Sequence, residues 1–172
     1  MSNYFFTSDH HFYHTNIISH CNRPFSNVQE MNDEMIKRWN EKITKKDTVY
    51  NLGDFSWAHS NLVMKELLLK LNYKEFHLIL GNHERKMKNK ERELFTSISF
   101  FKEIKLYKQN IVMCHYPLNA WYKDHYGTWD LHGHSHGKNS NTLENQLDVG
   151  VDCHNFYPLD YEEIKEIIEK MK

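Results

Sequence analysis

The chain has 172 residues, with 22 Lys plus Arg against 23 Asp plus Glu, so its formal charge at pH 7 is −1. That length suits one domain with its own hydrophobic core, and the balanced charge excludes a strong net field toward nucleic acid or a membrane surface. No apolar run approaches the roughly 20 residues of a spanning helix, so no membrane partner is expected.

The start, MSNYFFTSD, lacks a basic segment and a cleavage-like site and reads as structure. Asn3–Ser8 is an aromatic run expected to form a buried strand. From Val28 to Ile43, apolar residues keep helical spacing at Val28, Met31, Met35, Trp39 and Ile43. Ser26, with Gln29 three residues on, predicts a capping box at the start of that helix. Thr48–Leu52 reads as a strand ending at Gly53-Asp54, Asn61–Leu71 as a helix, and Glu75–Leu80 as a strand ending at Gly81-Asn82. Phe100–Tyr107 and Ile111–His115 read as neighbouring strands joined tightly through Lys108-Gln109-Asn110. Trp129–His132 and Gln146–Val151 are further strands. Asp160 caps a last helix with Ile164, Ile167, Ile168 and Met171 on one face. No repeat, linker or shift of composition divides the chain, so residues 1–172 are expected to be a single domain.

Strand after strand runs apolar and then stops on polar residues: SDHH, NLGD, LILGNHE, VMCH and LHGHSH. In open α/β sheets, ligands bind beyond the carboxyl ends of strands. Asp9 and His11, one residue apart, can grip one metal ion, and the two oxygens of Asp54 can bridge two. Asn82 offers an amide oxygen, and His115, His134 and His136 offer imidazoles. Such a mixed set suits Mn, Fe, Zn or Ni better than Ca or Mg, which prefer oxygen-rich shells. His132, His134 and His136 alternate, which on a strand would put them on one face. Taken singly, each of these residues is an ordinary polar side chain. Their joint occurrence at successive strand ends is what carries the chemistry.

Cysteine is sparse: Cys21, Cys114 and Cys153 are widely spaced and form no CxxC pair. A reducing, cytoplasmic setting fits that usage. Arg23 is a candidate phosphate contact, since a guanidinium binds phosphate in bidentate fashion. Arg85, Lys86, Lys88, Lys90 and Arg92 are interleaved with Glu84, Glu91 and Glu93. They read as a solvated charged segment, so no clear nucleic-acid-binding patch is expected. Trp121, Tyr122 and Tyr126 lie between two of the polar motifs and are expected to wall a pocket.

The ordered set Asp9-His10-His11, Gly53-Asp54, Gly81-Asn82-His83-Glu84, His115 and Gly133-His134-Ser135-His136 resembles the calcineurin-like metallophosphoesterases. Each piece is weak alone, and the five in order are specific. The stretches NRPF (Asn22–Phe25) and LDVGVD (Leu147–Asp152) further resemble a small bacterial and phage branch of that family. The resemblance implies an α/β fold, a metallophosphatase β-sandwich core flanked by helices (αββα). It implies that Asp9, His11 and His136 hold one divalent transition-metal ion and Asn82, His115 and His134 a second. Asp54 would bridge them. Manganese is the first candidate, with iron, zinc or nickel as alternatives. The implied reaction is phosphoester hydrolysis by in-line attack of a hydroxide shared by the two ions. His83 would sit beside the leaving group as general acid or hydrogen-bond donor. His132 has no family role, and His10 is the spacer of its motif and is expected to point away.

A phosphodiester is the favoured substrate, because the chain is small and lacks inserted specificity domains. The alternative is a phosphomonoesterase acting on small phosphate esters or nucleotides. A non-catalytic scaffold ranks lower, since all seven ligand positions and His83 are intact. The DHH phosphoesterases, suggested by Asp9-His10-His11, would need further Asp-rich motifs that this chain lacks. One departure matters. Many calcineurin-like relatives read GDxxD, the second Asp orienting the catalytic His, and here Trp57 stands in that place.

Overall fold

The computed structural model describes residues 2–58, 60–87, 89–138 and 143–171, apart from the side chains of Arg85 and Lys86. Lys88 of the basic run therefore lies outside the described residues. In chain order the elements are β1 (Tyr4–Thr7), α1 (Ile17–His20), α2 (Val28–Lys42), β2 (Thr48–Asn51), α3 (Asn61–Lys70), β3 (Glu75–Ile79), α4 (Asn89–Arg92) and β4 (Ser97–Ser99). There follow β5 (Phe101–Leu106), β6 (Gln109–Cys114), β7 (Trp129–His132), β8 (Gln146–Asp148), β9 (Leu159–Asp160) and α5 (Tyr161–Lys170). No helix among the described residues is long and apolar enough to cross a membrane.

The strands form two sheets, one in the order β4-β3-β2-β1-β9 and one in the order β5-β6-β7-β8. β1 to β4 pair in parallel, as do β6 to β8, so the carboxyl ends of β1, β2 and β3 share one edge, as do those of β6 and β7. Alternation along β1 shows how the layers are built. Phe5 packs with Trp39 of α2 and Leu67 of α3 on one side. Phe6 packs with Met113, Leu131 and Leu147 of the second sheet on the other. Ile164 and Ile168 of α5 close that second core, while Met171 is exposed. The result is two sheets flanked by helices.

Two local expectations shift by a residue or two. The cap of α2 is Asn27, whose side chain accepts from Glu30 N, while Ser26 N donates to the Glu30 carboxylate. Asn27 is the better cap because its short amide reaches the third helical N–H, leaving Ser26 one residue too early. The β5–β6 hairpin turns at Tyr107-Lys108, with φ of 49° and 72°, and not at Lys108–Asn110. Two left-handed residues are what a type I′ turn needs to match strand twist. Asp160 caps α5 as expected, and Glu163 completes a capping box with it. The elements α1, α4, β4 and β9 carry too few residues to show a period in the sequence.

Candidate metal centre

The segments that follow the strands carry the polar motifs, and main-chain bonds hold them together past the sheet. Asp9 N donates to Gly53 O at 3.0 Å and His11 N to Asp54 O at 3.0 Å. The chain turns sharply at the candidate ligands: φ is 58° at Asp9, 52° at His11, 49° at Asp54, 68° at His134 and 47° at His136. Left-handed backbone is costly for such residues and persists where the surroundings enforce it, often at functional sites. Strand β7 ends at His132. His134 and His136 therefore reach the site from a tight loop, and strand alternation plays no part in it. Gly53 is itself left-handed (φ 99°), and a Cβ there would lie 2.7 Å from His115 Nδ1. Gly133 is needed for close approach: its Cβ would lie 2.4 Å from Asp9 Oδ2.

Asp9, His11 and His136 converge. The Nε2 atoms of His11 and His136 each lie 4.0 Å from Asp9 Oδ1. Asp9 Oδ2 accepts from His134 N at 2.9 Å, which leaves Oδ1 for the cluster. Asp9 Oδ1 and His11 Nε2 are both buried and have no hydrogen-bond partner. A second group converges beside the first. His115 gives its Nδ1–H to Leu52 O at 2.7 Å, because a carbonyl can only accept. Its Nε2 then carries a lone pair, 3.2 Å from Asn82 Oδ1 and 3.6 Å from Asp54 Oδ2. Asp54, His115 and His134 form one donor group, and Asp9, His11 and His136 another. Asp54 Oδ2 also lies 3.7 Å from His11 Nε2, so it faces both groups.

Facing acceptors and orphaned buried atoms are costly unless something positive joins them. The residues present fit divalent cations, and the mixture of imidazole, carboxylate and amide oxygen fits transition metals. The electrostatics agree. Burial pushes Asp9 up to about 8 and Asp54 up to about 6. Burial holds His115 down to about 4, and burial with the Arg23 charge holds His11 well below the usual range. Burial is the largest single influence on His136 and opposes its charge, but the hydrogen bonds to Asp152 and Cys21 and the charges of Asp9 and Asp152 together outweigh it and raise His136 to about 10.

Glu84, expected from the sequence to belong to a solvated charged segment, is instead a buried support. Its carboxylate accepts from Asp54 N (2.9 Å), Phe55 N (2.7 Å) and Gly81 N (2.8 Å). It thus ties the loop after β2 to the loop after β3. His83 follows, with Nε2 3.5 Å from Asp54 Oδ2 and its main-chain N donating to Asp54 Oδ1 at 3.1 Å.

With that geometry in hand, the comparisons with known proteins are decisive for family. The calcineurin-like phosphoesterase profile matches residues 3–168. The chain belongs to the calcineurin-like phosphoesterases. It is 36% identical to an uncharacterised protein of Methanocaldococcus jannaschii, over all of this chain and 94% of that one. It is 25% identical to the gene 66 protein of Mycobacterium phage D29, over all of this chain and 98% of that one. Its fold is similar to a protein of unknown function from Aquifex aeolicus, with a TM-score of 0.76, 25% identity, and coverage of 97% of this chain and 100% of that one.

In this phosphoesterase, Arg23 is not placed to meet a phosphate. Its side chain has no exposure, and it forms a bidentate pair with Asp152 at 2.8 and 2.7 Å. It also donates to the main-chain oxygens of His10 (2.9 Å) and Asp9 (2.7 Å). Asp152 Oδ2 in turn lies 2.7 Å from His136 Nδ1. The stretches NRPF and LDVGVD are therefore two halves of one device behind the first donor group. No local signal in the sequence joins the two stretches, because Arg23 and Asp152 lie 129 positions apart. His10 points away as expected, stacked on Phe12 and bonded to Asn51. His132 donates Nδ1–H to Gly133 O at 2.9 Å and packs without reaching the site. Tyr122 and Tyr126 are exposed, and Trp121 gives its indole N–H to Thr128 O, closing its own loop. The aromatic ring from that loop that reaches the ligands is Tyr116, against His134 and His115.

Proposed function

We propose that this chain hydrolyses phosphodiesters with two divalent metal ions. Asp9, His11 and His136 would hold the first, Asn82, His115 and His134 the second, and Asp54 both. The observation that supports this most is Asp54 Oδ2, which lies within 3.7 Å of imidazole nitrogens from both donor groups. When bound, the ions would polarise the phosphoryl oxygens and make water nucleophilic near neutral pH.

The chain's own part is to hold and move a proton. As the water oxygen bonds to phosphorus, the bond to the leaving oxygen breaks, and that oxygen takes a proton. His83 Nε2 faces the same centre as Asp54 and supplies it. It would do so as the imidazolium, which becomes the neutral ring as the leaving oxygen takes the proton, and burial, which holds the imidazole below its ordinary value, makes that imidazolium a stronger acid. Diester preference rests on Arg23. A monoester presents a third charged oxygen, and the guanidinium that the sequence offers for it is committed to Asp152. Manganese is the first ion to test, with iron, zinc and nickel next. A nucleotide is one candidate substrate. The thiols of Cys21, Cys114 and Cys153 are all free, which suits a reducing cytoplasm.

The test is hydrolysis of bis(p-nitrophenyl) phosphate and p-nitrophenyl phosphate side by side, after chelator stripping and refilling with Mn²⁺. The expected result is metal-dependent diester cleavage, abolished in Asn82→Ala; His83→Ala slows diesters of poor leaving groups about 10²–10⁴-fold and nitrophenolate esters least. Turnover of the monoester alone would replace this reading with a phosphatase.

A further inference from the structure

His83 has no carboxylate of the GDxxD kind beside it, yet its ring is not loose. Four rings meet on one flank of the centre. The Trp57 indole lies 4.7 Å from His83, centroid to centroid, at 60°. On the same indole, His14 stacks in parallel at 4.5 Å and 16°. His14 Nδ1 lies 3.4 Å from His11 Nδ1. His11 in turn meets His83 edge-on at 5.0 Å.

The backbone fixes these rings in one block. Trp57 N donates to Phe12 O at 2.8 Å, Phe12 N to Phe55 O at 3.1 Å, and Ser56 bridges to Phe12 in parallel. His14 N donates to His11 O at 3.0 Å. The segment bearing Trp57 is thus laced to the segment bearing His11 and His14.

We propose that Trp57 and His14 are positioning residues, the indole setting the ring of His83 and, through the stacked His14, the ring of His11. Tautomer logic supports the second half. His11 must face the centre with a bare Nε2, so its proton sits on Nδ1. The atom in reach of that proton is His14 Nδ1, which must then accept, leaving the His14 proton on Nε2. A ligating histidine usually gives its other N–H to a carboxylate or carbonyl. Here the acceptor is a neutral imidazole, and it can serve only while something holds its plane. Stacking on Trp57 does that. The same indole presses on His83, so one surface side chain links the ring beside the leaving group to a metal ligand. Trp57 is 40% exposed, and its removal leaves the core intact.

The role of His83 rests on the proposed function, and the experiment separates the two. Wild type, Trp57→Ala, Trp57→Phe, His14→Phe and His83→Ala are compared, each with Mn²⁺. The substrates are aryl methyl phosphodiesters whose leaving phenols rise in pKa. Imidazole ¹⁵N and ring-proton spectra of the metal-free proteins provide a readout that needs no activity. Trp57→Ala is expected to slow the poorest leaving group about tenfold or more while barely touching nitrophenolate, and to shift the His83 ring protons. Trp57→Phe restores both. His14→Phe keeps the stack but removes the acceptor. It is expected to scramble the His11 tautomer and to weaken the first ion about 10–100-fold.

A Trp57→Ala protein that slows all esters equally, with unmoved His83 shifts, overturns the proposal while His83→Ala stays steep in leaving-group pKa. A flat His83→Ala series overturns the acid reading itself and the His83 half of the proposal with it. An unchanged His11 tautomer in His14→Phe overturns the His14 half.

Discussion

The two donor groups are built differently. The first is sunk in the molecule: Asp9 is fully buried, His11 is 3% exposed, and His136 is backed by Asp152 and Arg23. In the second, His115 is buried and anchored to Leu52, but His134 is exposed and Asn82 is partly so. One half is held by a charged network, the other by a carbonyl and an edge contact with Tyr116. The first half should therefore bind its ion tightly and exchange it slowly. The second half is open, and a phosphoryl oxygen can approach from its side.

That contrast can be broken outright at the one residue the halves share. Asp54→Ala removes the carboxylate facing both groups. Metal ions stabilise transition-state charge by several kcal/mol, so activity with Mn²⁺ should fall by about 10³-fold or more. Elemental analysis should find fewer than two ions per chain. Full occupancy in this variant would show that the halves stand alone.

Asp152→Asn should split the halves. His136 loses the carboxylate that orients it, and first-ion affinity should fall about 10–100-fold in a calorimetric titration. The second ion should bind as before. Arg23 would also be left buried without its counter-charge, at a cost of about 3 kcal/mol in denaturant unfolding. Equal weakening at both sites would mean the network braces the whole centre.

The unequal construction also explains what could be read from the sequence. Candidate ligands cluster at strand ends because the apolar runs that form parallel strands deliver their carboxyl ends to one edge. That Asp9, Asp54, Asn82 and His115 come together past the strands was legible for that reason. The elements between them were legible too, wherever a period ran long enough, as in α2 and α5. Supports were not. Arg23 and Asp152 are 129 positions apart, and no local pattern joins them. A lone Arg before Pro24 looks the same whether it faces phosphate or a buried carboxylate. Glu84 sat in plain view inside a motif, but its three main-chain partners come from two other loops. The left-handed turns at the ligands carry no sequence mark, since Asp and His show no preference strong enough to announce them.

Acidity offers a gentler way to sharpen the contrast. In the metal-free chain, burial raises Asp9 from 3.8 to about 8, while Asp152 and its neighbours raise His136, against the effect of burial, from 6.5 to about 10. Both belong to the first half. A group with a raised folded-state value stabilises the fold fully below its unfolded value, and that stability is lost as pH rises through the folded value. The metal-free protein should therefore weaken from about pH 4 to about pH 8 through Asp9, and from about pH 6.5 to about pH 10 through His136. A bound cation replaces those protons. The gain in Tm on adding Mn²⁺ should be larger at about pH 8.5 than at about pH 6, by thermal melts with and without chelator. A gain independent of pH would mean that the first group does not take the ion.

The smallest effect belongs to the open half. Tyr116 meets His134 at 4.7 Å and His115 at 5.0 Å, edge-on to both. Ring contacts of this kind contribute about 0.5–1.5 kcal/mol, and about 1.4 kcal/mol is tenfold in affinity. Tyr116→Leu should weaken the second ion by about two- to tenfold, and the first should not move. The test is a two-site calorimetric titration against wild type. A response confined to the second site would show that this half owes its grip to a surface ring, where the first relies on a buried charge network. A response at the first site alone would reverse the assignment of which half is braced, because Tyr116 touches neither His11 nor His136 in the ring contacts that define it.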